Sequence, residues 1–252
     1  MLHAPLLLSR FVPLKTMTDN PYSAPESNVA PDDKLDPLKG SGTFLLEKCL
    51  SDGWNRTLAY LGLILGAAFV SFIVTMLSYF TIIGILLVVP VMAWGGTRFA
   101  LNVHDERPEF SDIFSGFNDY KKKLAPSLVL GLCLFGLGLL GNSVSFVGSL
   151  TGSFFLEWIG SLVSLAFSVL IMSRLSFAFL FLVDQELPAI DALKASWGIT
   201  GPVWGRMILL SIVAGIIGML GVFALGVGLL ISFPVSYMMI VSAYRQAAGR
   251  PG

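Results

Sequence analysis

The residues that could do chemistry in this chain are few. A histidine or cysteine beside carboxylates could transfer protons or hold a metal, but only two histidines and two cysteines occur among 252 residues. His3 lies in a proline-rich segment, His104 follows an apolar run, and Cys49 and Cys133 lie far apart in unlike surroundings. No HExxH motif, nucleophile elbow, CxxC pair or glycine-rich phosphate loop is present. We therefore expect no catalytic residue, no metal site, no cofactor and no disulfide framework.

One acidic cluster remains, formed by Asp105, Glu106, Glu109 and Asp112 around Arg107. Carboxylates this close could bind a cation. The same residues also suit the solvated start of a helix, where negative charge is favoured by the helix dipole. We favour the solvated helix start, and keep the cation site as the alternative.

Two prolines lie inside apolar runs at matching positions. Pro90 follows Gly84, and Pro234 follows Gly228, each as Gly-x5-Pro with apolar residues between. A proline inside a helix removes one backbone hydrogen bond and bends the helix. These four residues either frame a cavity or gate, or mark irregularities that a membrane helix tolerates. The sequence favours neither reading.

Three arginines lie within or beside the ends of apolar runs, at Arg98, Arg174 and Arg206. An ionisable residue in a membrane span is a functional candidate, but an arginine near a span end can also reach phosphate headgroups. We expect these three arginines to anchor the protein at the interface rather than bind a substrate. We assign the same interfacial role to Phe117 and Trp197 on amphipathic segments.

The amino-acid composition predicts which kind of secondary-structure element holds these residues. Hydrophobic residues make up 55% of the chain and charged residues only 13%, whereas soluble domains are about 25% charged. No Asp, Glu, Lys or Arg occurs from Thr57 to Thr97 or from Met207 to Tyr244. Each run would make a helix of roughly 60 Å, about twice the thickness of a bilayer core, so each run holds two spans.

The sequence therefore predicts an all-α, polytopic transmembrane bundle of six spans within residues 42–246. The apolar runs lack the period-two alternation of barrel strands, so helices are expected. Turns are expected near Ser78–Thr81 and between Gly218 and Phe223. Residues 1–41, rich in proline and polar residues, are predicted to be a disordered tail, with translation beginning at Met1 or Met17, and residues 247–252 a short tail. The predicted spans are about 58–77, 80–103, 124–147, 158–183, 203–221 and 223–244.

Basic residues predict the orientation. In the six-span arrangement the three turns on one side contain no Lys or Arg, and all basic residues lie in the tails, the two long loops or the nearby helix ends. Cytoplasmic loops carry the excess of Lys and Arg. We predict a bacterial inner-membrane protein with both termini in the cytoplasm.

Short amphipathic segments precede each predicted pair of spans. Phe110, Ile113, Phe114 and Phe117 recur at helical spacing, as do Ile190, Leu193 and Trp197; a third segment covers 46–54. We interpret the chain as three repeats of an interfacial helix followed by a transmembrane hairpin, with chance similarity among apolar helices as the alternative.

These segments carry a resemblance. Residues 45–54, 110–117 and 189–197 resemble those of the YciC-like family of six-span bacterial membrane proteins, and the chain is similar to the membrane domain found ahead of some glycerophosphodiester phosphodiesterases. The resemblance covers about residues 43–246. It implies the membrane fold and supplies no catalytic residue, and the chain has no soluble phosphodiesterase domain.

The sequence excludes some classes of function. The net charge of zero excludes attraction of a nucleic acid through bulk charge. We predict a non-enzymatic inner-membrane protein with a structural, regulatory or lipid-associated role, with membrane lipids and a homo-oligomer or other membrane proteins as partners. The alternative is a transporter or channel for a neutral or apolar solute, built from the repeated hairpins.

Overall fold

The computed structural model describes residues 43–223 and 228–249, with the side chains of all of these except Ile82 and Phe223. The described residues fall in one compact unit, Asp36–Gly252. The predicted disordered tail at 1–41 lies outside them, as do residues 250–252.

All regular structure among the described residues is helical, as the sequence predicts. A short 3₁₀ helix, Phe110–Phe117, lies between α4 and α5, and a π-helical turn, Ser168–Met172, lies between α6 and α7. The α-helices are α1 Leu46–Ala59, α2 Leu61–Ser78, α3 Ile82–Leu87, α4 Val89–His104, α5 Tyr120–Thr151, α6 Phe154–Phe167, α7 Ser173–Leu175, α8 Ala178–Asp184, α9 Ala189–Thr200, α10 Trp204–Phe223 and α11 Leu229–Ala247.

Five helical segments in the described part of the chain are long and apolar enough to cross a membrane. They are Leu61–Ser78, Ile83–His104, Tyr120–Thr151, Phe154–Asp184 and Trp204–Val222. These segments coincide with the first five predicted spans. The sixth predicted span corresponds to α11, which ends in the polar residues Arg245 and Gln246 and follows four residues outside the description.

Local residue types explain where the hairpins turn. Helix α5 ends at Gly152, whose φ of 64° is a left-handed conformation that glycine adopts at little cost. The hydroxyl of Ser153 then accepts the Leu156 N–H at 3.4 Å and caps the start of α6. The first hairpin turns at Tyr79–Thr81, as predicted, and Thr81 caps α3. The turn predicted between Gly218 and Phe223 is not found there, because α10 continues through Gly218 to Phe223.

The core is concentrated near one end of the bundle. Buried apolar side chains come mainly from α4, α8, α9 and the second half of α11. Around the turn between α5 and α6, by contrast, Leu150 is 70% exposed and Phe154 is 74% exposed. There the two helices touch mainly backbone to backbone: a Cβ on Gly148 would stand 2.5 Å from the backbone nitrogen of Glu157. Large apolar side chains are left exposed on the spans, which suits a lipid environment.

The three amphipathic segments are helical. In α9 most of the buried residues are small, such as Ala192 and Ala195, while Ile190 and Trp197 are exposed. The amphipathic segment 110–117 is an eight-residue 3₁₀ helix, and α5 begins three residues after it at Tyr120. Each short helix precedes two long helical segments along the chain, and the internal repeat stays a prediction.

Candidate functional site

An apolar groove lies between α2, α4 and α11, with the 3₁₀ helix at one side. Its volume is about 340 Å³, which is within the range of small-molecule sites. Helix α2 contributes residues between Ile64 and Ser71, and α4 contributes residues between Ala93 and Val103. Helix α11 contributes Phe233, Pro234, Tyr237 and Met238, and the 3₁₀ helix contributes Ile113.

The groove exists because its walls are built from small residues. Ala67, Ala93, Gly96 and Ala100 face it, and a Cβ on Gly96 would meet no atom within 4 Å. Its polar groups are hydroxyls, and two of them satisfy each other: Thr97 Oγ1 and Tyr237 Oη are 2.9 Å apart. At the rim, Phe233 is 69% exposed. The arrangement suits an apolar occupant entering from the side of the bundle.

Of the four residues predicted to frame a cavity or gate, one lines the groove. Pro234 lines the groove, whereas Pro90, Gly84 and Gly228 are not part of its lining. Pro90 stands in the first turn of α4, directly after the break at Val88 that separates α3 from α4. The two prolines therefore have different local structures, since Pro234 lies inside α11. Gly84 packs on the turn before α3, where a Cβ would stand 2.5 Å from the Ser78 carbonyl oxygen.

A buried ion cluster, formed by Asp105, Asp184, Tyr244 and Arg245, lies beyond the groove. Arg245 donates to Asp184 at 2.9 Å and to Asp105 at 2.6 Å, and its side chain is only 6% exposed. Tyr244 donates its hydroxyl to Asp184 at 2.7 Å. The ion cluster joins the ends of α4, α8 and α11, and it stands roughly two turns along α11 from Tyr237.

Helix α1 is tied to the same end of the bundle by a second set of polar contacts. Ser242 donates to Asp52 at 2.7 Å, and Gln246 donates to Ser242 at 3.1 Å and to the sulfur of Cys49 at 3.3 Å. Burial is the main cause that raises the pKa of the Cys49 thiol to about 11. Arg56 donates to the carbonyl oxygen of His104.

His104 lies between these two groups and is 2% exposed. Its Nε2 is 4.0 Å from an Asp52 oxygen, and its Nδ1 is 3.6 Å from an Asp105 oxygen. Neither ring nitrogen makes a hydrogen bond within the described part of the chain. The sequence placed His104 only at a helix end and gave no signal for this position.

The acidic cluster of the sequence is divided by the fold. Glu106 and Glu109 are exposed, whereas Asp105 belongs to the buried ion cluster. Asp112 accepts from the Asn102 amide at 2.8 Å and from the Glu109 N–H at 2.9 Å, which starts the 3₁₀ helix. Within the described ranges, no three His, Cys, Asp or Glu residues stand together as metal ligands. Asp184, Tyr244 and Arg245 were not predicted site residues, because nothing in the sequence pairs residues 61 positions apart.

The predicted interfacial anchors are spread around the bundle. Arg98 and Arg206 are exposed, and Nη1 of Arg206 is 3.4 Å from the Phe44 carbonyl oxygen. Arg174 stacks on Trp197, which is 46% exposed. Phe117, at the end of the 3₁₀ helix, is 38% exposed. The structure brings only Arg174 and Trp197 together.

Comparisons with family models, curated proteins and solved structures find no match for this chain.

Proposed function

We propose that this chain is a non-enzymatic integral protein of the bacterial inner membrane that binds the apolar chain of a membrane lipid in the groove between α2, α4 and α11. The observation that carries the proposal is the groove itself, which is lined by membrane-span residues and opens beside the exposed Phe233. In a bilayer, acyl chains are the most abundant apolar groups able to fill such a space, and an empty groove forfeits packing contacts.

The membrane arrangement that we propose has six spans, with α11 as the sixth. The ion cluster supports it, because the cluster brings the ends of α4, α8 and α11 to one side of the bundle. The turns at Tyr79–Thr81 and Gly152–Ser153 contain no Lys or Arg. By the positive-inside rule, the side with the ion cluster faces the cytoplasm.

Three short helices are proposed to lie at the cytoplasmic interface. Large apolar side chains stay exposed on each: Leu50 and Trp54 on α1, three phenylalanines on the 3₁₀ helix, and Trp197 on α9. Aromatic side chains are favoured at the headgroup level. This placement would cover faces that the helical bundle leaves open.

Reporter fusions test the orientation. Reporters fused at Lys122, Asp191 and near the C-terminus should behave as cytoplasmic, and one inserted near Ser149 as periplasmic. A periplasmic signal at Lys122 would contradict both the six-span arrangement and the proposal that the ion cluster faces the cytoplasm.

Absence of catalysis is part of the proposal. The groove is lined by apolar side chains together with the hydroxyls of Ser71, Thr97 and Tyr237, and it has no carboxylate, imidazole or amine. General acid–base or nucleophilic chemistry needs such a group within hydrogen-bond reach of the substrate. The nearby carboxylates of Asp105 and Asp184 are engaged by Arg245.

One substitution pair tests lipid binding. Gly96→Leu projects a side chain into the groove, while Gly136→Leu makes the same change on α5, where a Cβ also meets no atom within 4 Å. Both changes raise helix propensity, so both variants should fold. Each protein is purified in the same mild detergent, and its bound lipid is measured by mass spectrometry of the intact protein. Wild type and Gly136→Leu should retain a lipid that Gly96→Leu loses; equal retention by all three would contradict the proposal.

One observation supports the alternative function of a transporter: Pro234 lines the groove. A solute pathway needs water in the groove, whereas a bound acyl chain excludes it. Phe233→Cys in a background lacking Cys49 and Cys133 separates the two. Fast labelling by a small aqueous thiol reagent supports transport, and an inert thiol supports the lipid-filled groove.

A further inference from the structure

Arg174 is held in a fixed position by two neighbouring helices. Its backbone carbonyl accepts the hydroxyls of Ser196 at 2.8 Å and Thr200 at 3.2 Å, both on α9. Its guanidinium lies 4.2 Å from the ring centroid of Trp197 and 5.9 Å from that of Trp204. Nη2 donates to the Trp197 carbonyl oxygen at 3.0 Å. The cation is therefore oriented before any ligand arrives.

The guanidinium of Arg174 also has N–H donors that make no hydrogen bond within the described ranges. Its Nε is buried without a hydrogen-bond partner, and Nη1 donates to no residue within the described ranges. In those ranges no carboxylate comes within ion-pair distance of Arg174, in contrast to Arg245, which contacts two. The charge of Arg174 is therefore not balanced by a carboxylate in these ranges, and an anion that accepts from its free donor would form a charge-assisted hydrogen bond.

The surroundings of Arg174 are those of a membrane interface. The residue follows the π-helical turn Ser168–Met172, to which Trp204 is tied by a hydrogen bond from its indole to the Leu170 carbonyl oxygen at 3.3 Å. Trp197 is 46% exposed and Trp204 is 40% exposed. Trp204 is also the first residue of the membrane-capable segment Trp204–Val222, and two half-exposed indoles beside one cation at that position match the headgroup level of a bilayer.

We propose that Arg174, Trp197 and Trp204 form a binding site for a phosphate group, supplied by an anionic phospholipid. Nη1 would donate to a phosphate oxygen, and the indoles would pack against the glycerol region. Free inorganic phosphate has the same chemistry and is the competing source. This site lies on α7, α9 and α10, whereas the groove lies on α2, α4 and α11. An experiment that disproves binding at one of them therefore leaves the other proposal unaffected.

Lipid titration of the intact protein tests the site. Wild type, Arg174→Gln, Arg174→Lys and Arg206→Gln are titrated in neutral detergent with short-chain phosphatidylglycerol and, separately, phosphatidylcholine, with binding read by mass spectrometry. Arg206→Gln is the matched control, because it removes another arginine near the same span ends without touching the indole pair. Phosphatidylglycerol should bind roughly tenfold more weakly to Arg174→Gln, with Arg174→Lys between and Arg206→Gln unchanged.

The other outcomes are equally definite. Competition by millimolar inorganic phosphate in the same titration would support the site and assign it to free phosphate, whereas no competition supports the lipid. Equal loss in Arg174→Gln and Arg206→Gln, or no preference of wild type for phosphatidylglycerol over phosphatidylcholine, would overturn the proposal. If Arg174→Gln does not fold, Arg174→Lys and the wild-type lipid preference decide. Gly96→Leu, which tests the groove, should leave phosphatidylglycerol affinity unchanged.

Discussion

Arg245 is the residue on which the packing of three helix ends depends. It contacts Asp105 of the α4 end and Asp184 of α8 while its own side chain is 6% exposed. Tyr244 adds a hydroxyl to Asp184, and its ring packs edge-on against Phe181 with centroids 5.0 Å apart. A buried ion pair stabilises little compared with an apolar replacement, but loss of one partner leaves an unpaired buried charge.

Truncation of Arg245 should therefore be costly. Arg245→Ala removes the buried ion pairs to Asp184, whose side chain is 8% exposed, and to Asp105, and a loss of about 3–5 kcal/mol in stability is expected. Arg107→Ala is the control, because Arg107 lies 3.8 Å from the same Asp105 but is 78% exposed; its loss should be under about 1 kcal/mol. Thermal unfolding in detergent measures both, and similar midpoints for the two variants would show that the ion cluster contributes little.

Cys49 gives a prediction about pH. Because burial raises its pKa to about 11, and because the thiolate is the reactive form, its alkylation should keep accelerating with pH beyond the range where an ordinary thiol levels off. In a Cys133→Ser background, the rate should rise roughly tenfold per pH unit up to about pH 10. The control is Leu50→Cys in a chain lacking both native cysteines, since Leu50 is 42% exposed. A plateau near pH 9 for Cys49 would contradict the raised pKa.

Residue types alone could predict only part of this site. The sequence indicated that Glu106 and Glu109 are solvated, and both are exposed. It could not separate Asp105 from them, because the partner of Asp105 lies 140 positions away and is chosen by the packing of α11 on α4. Pro234 was singled out and lines the groove, whereas its apparent equivalent Pro90 begins a helix instead.

At the scale of elements, α4 has two adjacent glycines in opposite surroundings. A Cβ on Gly95 would overlap the Ile113 carbonyl, which holds the 3₁₀ helix against α4, whereas a Cβ on Gly96 would project into the groove and meet nothing. The groove wall and the packing of the 3₁₀ helix thus occupy different faces of one helix.

Alanine substitution should separate these faces. Gly95→Ala forces the 3₁₀ helix away from α4 and should lower the thermal midpoint, with a cost of about 1–3 kcal/mol expected for overpacking. Gly96→Ala should be neutral or stabilise by up to about 1 kcal/mol, because alanine is the better helix former. Thermal unfolding of both in the same detergent provides the comparison, and a larger loss for Gly96→Ala would show that the two faces are misassigned.

Helix positions were the most predictable elements, because a charge-free run long enough for two spans must fold back on itself. Interruptions were predictable only in part. The break at Val88 stands two residues before Pro90, a proline that the sequence marked as a helix irregularity, whereas nothing in the local apolar pattern marks the π-helical turn at Ser168–Met172. In α9, Ala195 is buried and Trp197 is exposed; close helix packing favours small residues on the buried side.

At the scale of the whole molecule, the fold is a helical bundle with five membrane-capable segments among the described residues and a core gathered near the ion cluster. Composition predicted the helical class. The groove was beyond prediction, since it depends on how α2, α4 and α11 meet, and their contacts join residues as far apart as Thr97 and Tyr237. We propose that a lipid chain occupies this groove.

Photocrosslinking tests that claim most directly. A phospholipid with a diazirine on its acyl chain is incorporated into membranes containing the protein, irradiated, and the modified peptides are mapped by mass spectrometry after purification. We predict crosslinks on the groove faces of α2, α4 and α11, between Ile64 and Ser71, Ala93 and Val103, and Phe233 and Met238, which Gly96→Leu abolishes. Crosslinks confined to the lipid-exposed surfaces of α5 and α6, or groove crosslinks that persist in Gly96→Leu, would contradict the account.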